Sequence, residues 1–274
     1  RVTDVALGSF GVAIPPSETV NHLVRFLSTW SGSDKFFGVV QYTLKLLVPF
    51  LHFRARLQQR VGLSKTGVSP SALSLAKLAD LVGDAKMLMR FWGLLPIVQW
   101  MMSLERNPPP TKRLQNIERL QGWSMLGYYP FEHLYYLRAH DIIPATLPLL
   151  ALGVPKPATL NLHAGKLAMW STRFWAAYVV LQIAHLWEDR GLLIQKERQL
   201  KVGNKRLDVE EKRDLENKWD ALLNELVVNI GNLPLAIHWS LQKGIFTNDI
   251  WTTAFGFLAA VASFRGAWNA TALP

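Results

Sequence analysis

The sequence predicts an all-α protein: a helical, membrane-associated chain with amphipathic helices in its N-terminal part and hydrophobic helices in its C-terminal part. Three observations carry that reading. Apolar residues recur at helical spacing through most of the chain, while alternating strand patterns and hairpin dipeptides are absent. Half of the 274 residues are hydrophobic and only 18% are charged. That is apolar for a soluble protein and too polar for a dense multi-pass transporter. The net charge is +10, and its excess lies in one half. Residues 1–140 hold 16 Lys/Arg against 8 Asp/Glu, or +8, and residues 141–274 hold 14 against 12, or +2.

A basic region of this kind suits nucleic acid or membrane. RNA-recognition signatures, zinc-finger spacings and basic-zipper heptads are missing, and the cations stand beside large aliphatic faces, so membrane is favoured over nucleic acid. The eleven Trp agree, since the amphipathic indole favours membrane and protein interfaces. The absence of cysteine excludes disulfides and cysteine-based metal or nucleophile sites. No glycine-rich phosphate loop, G-x-S-x-G elbow or H-E-x-x-H occurs, so no enzyme, cofactor or metal site is expected. His133 and His140 share a helix face and lie near Asp141, but lack a third ligand at fixed spacing. The expectation there is a polar rim.

Residues 1–16 read as a leader ending in Pro15-Pro16, without the continuous apolar core of a cleavable signal peptide. A first helix is expected from Ser17 to Trp30, broken by Ser31-Gly32-Ser33, with Ser33 or Asp34 capping the next. That next stretch, Lys35 to Arg60, organises the chain. Gln41, Lys45, His52, Arg56 and Gln59 share a narrow arc. Phe36, Val40, Leu44, Leu47, Phe50, Leu51 and Leu57 lie opposite, with Arg54 among them. No acidic residue occurs between Asp34 and Asp80. A wide apolar face with a thin cationic stripe suits an anionic lipid surface. A core helix of a soluble bundle gives the same periodicity but usually mixes both signs. Pro49 predicts a bend between an apolar arm, Phe36 to Val48, and a more cationic arm, Phe50 to Arg60.

Residues 62–68 read as a loop and Ser69-Pro70 as a helix start. That helix is expected to reach Trp92, or Met102 through a kink at Pro96, with Leu78, Leu81, Val82, Ala85, Leu88, Met89 and Trp92 on one face. Asn107 and three prolines end it. A further helix is expected from Lys112 to Ala139, turning aromatic at LGYYPFEHLYYL. Residues 17–140 thus form an amphipathic, basic helical region. Residues 141–159, with four prolines, read as a linker. The C-terminal helical region, 160–274, holds three charge-free segments: Phe174–Trp187, Leu226–Gln242 and Ile250–Phe264. Each falls short of the about 20 residues of a span, so they could lie in the interface, cross a thinned bilayer or pack into a soluble bundle. The stretch 188–220 carries nine residues of each sign and reads as a solvated helical hairpin or a partly disordered loop, with a turn at Gly203-Asn204. Gly256, Ala260 and Ser263 form a small-residue row suited to close helix packing in lipid.

Four stretches resemble a known family: SDKFFGVVQYTLKLLVPFL, AKMLMRFWGLLPIVQWM, YYPFEHLYYL and LPLAIHWSLQKGIFTNDIWTTAFGFLAAVASFRGAW. Their order over residues 33–268 is similar to that of the peroxisomal biogenesis factor 11 (peroxin-11) family, in a fungal-type branch. The resemblance implies a peroxisomal membrane protein that remodels its membrane, elongating it before division by inserting an amphipathic helix into the cytosolic leaflet. It also implies a homo-oligomer that works with a fission adaptor and a dynamin-related GTPase. Pores for small metabolites are the alternative that the family suggests. Carried onto this chain, the inserting helix is Phe36 through Arg60. Phe36, Val40, Leu44, Leu47, Phe50 and Leu51 enter the anionic phospholipid membrane, and Lys45, Arg54, Arg56 and Arg60 meet its headgroups. Pro49 and the off-face Arg54 depart from an otherwise clean apolar surface.

Overall fold

A computed structural model of the chain describes residues 17–148, 159–202 and 209–272. The leader, ten residues of the proline-rich linker and the Gly203-Asn204 turn lie outside the described residues. The rest is helical almost throughout. Helix α1 is Glu18–Leu27, capped by the Ser17 hydroxyl. Helix α2 is Trp30–Arg60, longer at its start than the pattern implies. Thr29 caps it by accepting from the Gly32 N–H, and the Ser33 hydroxyl reaches back to the Leu27 carbonyl. The Ser-Gly-Ser step is therefore absorbed into the first turn, and the break comes at Ser28-Thr29. The helix runs unbroken through Pro49.

Helix α3, Pro70–Met89, starts on the Ser69 cap with proline in its first turn. A 3-10 turn over Arg90–Gly93 joins it to α4, Leu94–Arg106, so the break falls ahead of Pro96. Gly93 permits close packing there, because any Cβ on it would run into the Tyr129 ring. Helix α5 spans Lys112–Ala139. The expectation of no strands needs one correction: Thr146–Pro148 (β1) pairs antiparallel with Thr159–Asn161 (β2). The packing of α5 against the next helix brings the ends of the linker together, and three residue pairs close them. Helices α6, Ala164–Val202, α7, Val209–Ser240, and α8, Asp249–Thr271, complete the fold. The charged stretch after Trp187 thus continues α6 and opens α7.

Neighbour follows neighbour through the bundle: α3 on α2, α2 on α8, α8 on α7, α7 on α6, α6 on α5 and α5 on α4, with the 3-10 turn joining α4 to α3. The two regions that the linker separates in sequence therefore share one packing scheme. Small residues set the approach distances. Gly231 of α7 faces Ala259 of α8, and the Asn224 amide donates to the Ala262 carbonyl at 3.0 Å in a buried site. Between α5 and α6, Gln121 donates to Gln182 at 2.6 Å. His185 lies 3.0 Å from Asp189 and 3.3 Å from Glu118. The Asp189 carboxylate, and then Glu118, raise the His185 pKa above its ordinary value.

Candidate membrane-binding surface

Before Pro49, helix α2 turns the side that holds Asp34, Gly38, Gln41 and Tyr42 toward its neighbours. Asp34 and Gly38 face Lys86 of α3, with Lys86 Nζ 3.7 Å from Asp34 Oδ1. The Gln41 amide lies over Gly83, and the Tyr42 ring lies over Gly256 of α8. Lys45, one turn on from Gln41, is half-buried on that same side. Leu47, Phe50, Phe53 and Leu57 are exposed, Phe50 at 62%. Phe36, Val40, Leu44 and Leu51 are half-buried.

Along α3 and α4, Leu78, Leu81, Leu88, Met89, Trp92 and Leu95 point outward, Trp92 and Leu95 each at 69%. Of the polar groups between them, Asp84, Lys86 and Arg90 turn in, while Asp80 is exposed. Asp84 accepts from the Tyr136 hydroxyl at 3.3 Å and lies 2.8 Å from His140. Arg90 donates to Glu132 at 2.9 Å and to the Tyr128 hydroxyl at 3.1 Å, and Tyr128 donates to Glu132 as well. His133 stacks on Phe91 at 4.2 Å. Both histidines of the candidate rim are therefore held by helix contacts, and among the described residues no group of three His, Asp or Glu could hold a metal ion. A soluble bundle buries its large aliphatic faces. Here two stretches of described helix, Trp30–Arg60 and Pro70–Arg106, are long and apolar enough to cross a membrane, and little of either is buried. The three C-terminal segments are not among them.

The registers show where α2 loses its cover. Gly38 meets Ala260 and Tyr42 meets Gly256, so α8 runs antiparallel to α2. Seven residues before Gly256 stands Asp249, the start of α8, which is therefore level with Pro49. Beyond Pro49, Gln59 and Arg56 lie against Gly67 in the loop that leads to α3. The end of this α2–α3 hairpin carries Phe50, Phe53, Leu57, Val61, Leu63 and Val68 exposed, Leu63 at 79%. Arg54, Arg56, Arg60 and Lys65 are exposed among them. Arg56 donates to the His52 carbonyl at 3.4 Å, and among the described residues none of these four cations is in an ion pair. The tip holds no acid, since none occurs between Asp34 and Asp80.

The candidate residues thus divide. Phe50, Arg54, Arg56 and Arg60 come together on the free tip, with Leu47 just before it and Leu51 half-buried within it. Lys45, Phe36, Val40 and Leu44 are half-buried along the covered half. Gly256 and Ala260 stand at the α2–α8 contact, with Ser263 half-buried one turn on. What sequence reasoning missed is the continuation of the apolar surface over α3 and α4. Its signal was present in the row from Leu78 to Trp92, whose shared face periodicity shows without saying whether it points in or out.

Among known proteins, an uncharacterized protein of Schizosaccharomyces pombe is 24% identical over 195 residues, 71% of this chain and 77% of the relative. No solved structure matches the chain. Residues 20–268 match the family described as Peroxisomal biogenesis factor 11 (PEX11). Nearly the whole helical bundle falls inside that match, and its outward apolar helices suit a protein of a membrane. The chain belongs to the peroxisomal biogenesis factor 11 family, whose members are peroxisomal membrane proteins that act in peroxisome biogenesis and proliferation.

Proposed function

We propose that this protein elongates and tubulates the peroxisomal membrane before division by inserting the tip of the α2–α3 hairpin into the cytosolic leaflet. The observation that supports this is the acid-free tip beyond Pro49, where apolar side chains and unpaired cations are exposed together. Its apolar residues enter the acyl boundary while Arg54, Arg56, Arg60 and Lys65 stay at anionic headgroups. Each aliphatic or aromatic side chain contributes at most about 1.5–3 kcal/mol if fully buried, and each cation about 1 kcal/mol near an anionic surface. Apolar burial therefore drives insertion and charge selects the lipid. A wedge in one leaflet expands that leaflet alone, which bends the bilayer.

In this reading the protein acts through its surface and not by catalysis. Self-association concentrates the wedges, and a fission adaptor with a dynamin-related GTPase completes division, as the family resemblance implies. The test is the full chain with Leu47→Asp and Phe50→Asp on anionic vesicles. Both residues are already exposed, so the fold should survive. Co-sedimentation and tubulation should drop tenfold or more; a double variant that still tubulates ends the proposal.

A second reading, a pore for small metabolites, draws on the charged groups turned into the bundle, Lys86, Arg90 and Glu132. Solute release from sealed vesicles by purified protein would support it, and absence of conductance in every lipid mixture would count against it.

A further inference from the structure

The outer side of the α4–α5 pair carries a cleft of about 560 Å³, far from the hairpin tip. Its walls are Val98 and Met102 from α4 and Trp123 and Leu126 from α5, and Leu104 is buried in its floor. Met101 lies over Gly122, where any Cβ would crowd its side chain, so the two helices approach closely behind the cleft. Trp123 is 65% exposed, which leaves one wall open along its length.

The polar groups gather at one end. Arg119 holds Glu105 with two bonds, 2.6 Å and 2.5 Å, so that pair adds no net charge. Arg106, the last residue of α4, is exposed and has neither ion pair nor hydrogen bond among the described residues. The mouth of an apolar cleft therefore carries the uncompensated charge of Arg106, with Lys112 close enough to act on Glu105 as well. A ligand that matches both ends needs an apolar tail and a single anionic head.

We propose that this cleft binds one anionic phospholipid, its acyl chain lying between α4 and α5 and its phosphate on Arg106. Methionines at 101 and 102 let the walls adapt to a flexible chain. The inference rests on the reading that this exterior meets lipid, but it involves neither the hairpin tip nor its cations.

Because the chain has no cysteine, Met102→Cys gives a single labelling site in the cleft, and Leu81→Cys gives a control on the outer face of α3. Each full-length variant carries a bimane label in non-ionic detergent micelles doped with dibrominated phosphatidylglycerol or dibrominated phosphatidylcholine. Quenching at position 102 should reach half-saturation at an at least threefold lower mole fraction of phosphatidylglycerol, with no difference between the lipids at position 81. Adding Arg106→Gln should erase the preference at 102. Equal quenching by both lipids at 102, or a preference that survives Arg106→Gln, overturns the proposal. Micelles need no leaflet insertion, so this result stands apart from the vesicle test of Leu47→Asp with Phe50→Asp, and either proposal can fail alone.

Discussion

The α2–α3 and α6–α7 hairpins are alike in shape and opposite in chemistry. Helix α2 runs antiparallel to α8, which runs antiparallel to α7, so α2 and α7 are parallel and the C-terminal end of α2 and the N-terminal end of α7 lie at opposite ends of the bundle. The α6–α7 arm mixes its signs and pairs them. Asp214 holds Lys196 at 3.0 Å and Lys218 at 2.7 Å, and Lys212 lies 3.8 Å from Glu216. The two lysines depress the Asp214 pKa. The α2–α3 tip has cations of one sign, no ion pair among the described residues and a cluster of exposed large apolar residues. An arm that neutralises itself suits water. An arm left cationic and apolar suits an anionic lipid surface. Length and helicity do not separate the two; charge pairing does.

That contrast can be broken in steps. The largest effect should come from replacing Arg54, Arg56, Arg60 and Lys65 together with Gln. Loss of about 4 kcal/mol weakens binding to anionic vesicles by on the order of a thousandfold, read by co-sedimentation, and leaves the weaker binding to neutral vesicles nearly unchanged. Next, Gly256→Leu drives a side chain into the Tyr42 ring and should cost about 1–3 kcal/mol, seen as a lower denaturation midpoint. It loosens the covered half of α2 while leaving the tip's composition untouched.

His185 gives a smaller, pH-dependent effect. Its folded-state pKa is raised, so its contribution is fully present below the unfolded value of about 6.5 and is lost as pH rises through the folded value. Thermal melts from pH 5 to 9 should show this slope, and His185→Gln should flatten it. The smallest effect belongs to Asp214→Asn. It unpairs two exposed lysines on the water-facing arm and should leave stability within ordinary surface variation and vesicle binding unchanged. A clear gain in anionic-vesicle binding by that variant would show that unpaired cations alone suffice, without the apolar cluster.

Much of the bundle was legible because helix signals are local. The Ser69-Pro70 start, the Asn107 stop and the α5 limits depend on caps and prolines that act within one turn. Pro49 shows how far local rules reach: its missing N–H predicts a bend, and the helix continues through it as one element. The Thr29 cap escaped because Ser33 and Asp34 are equally good caps, and a bond to the Gly32 N–H decided between them. The short β1–β2 pairing arises from chain ends brought together by distant helices, which no local pattern encodes.

The Lys35–Arg60 stretch divides the same way. Sequence by itself determined that it is a helix with a wide apolar side, a thin cationic stripe and no acid, because those follow from residue type and a fixed angular step. Only the tertiary structure decided which side faces out, and that the stripe is split at Pro49. The reason is register. Gly256 and Ala260 let α8 close on Tyr42 and Gly38, and α8 begins too late in that register to cover Phe50, Arg54 or Arg60. Where a helix is covered depends on where its neighbour starts, and that neighbour is some two hundred residues away in the chain.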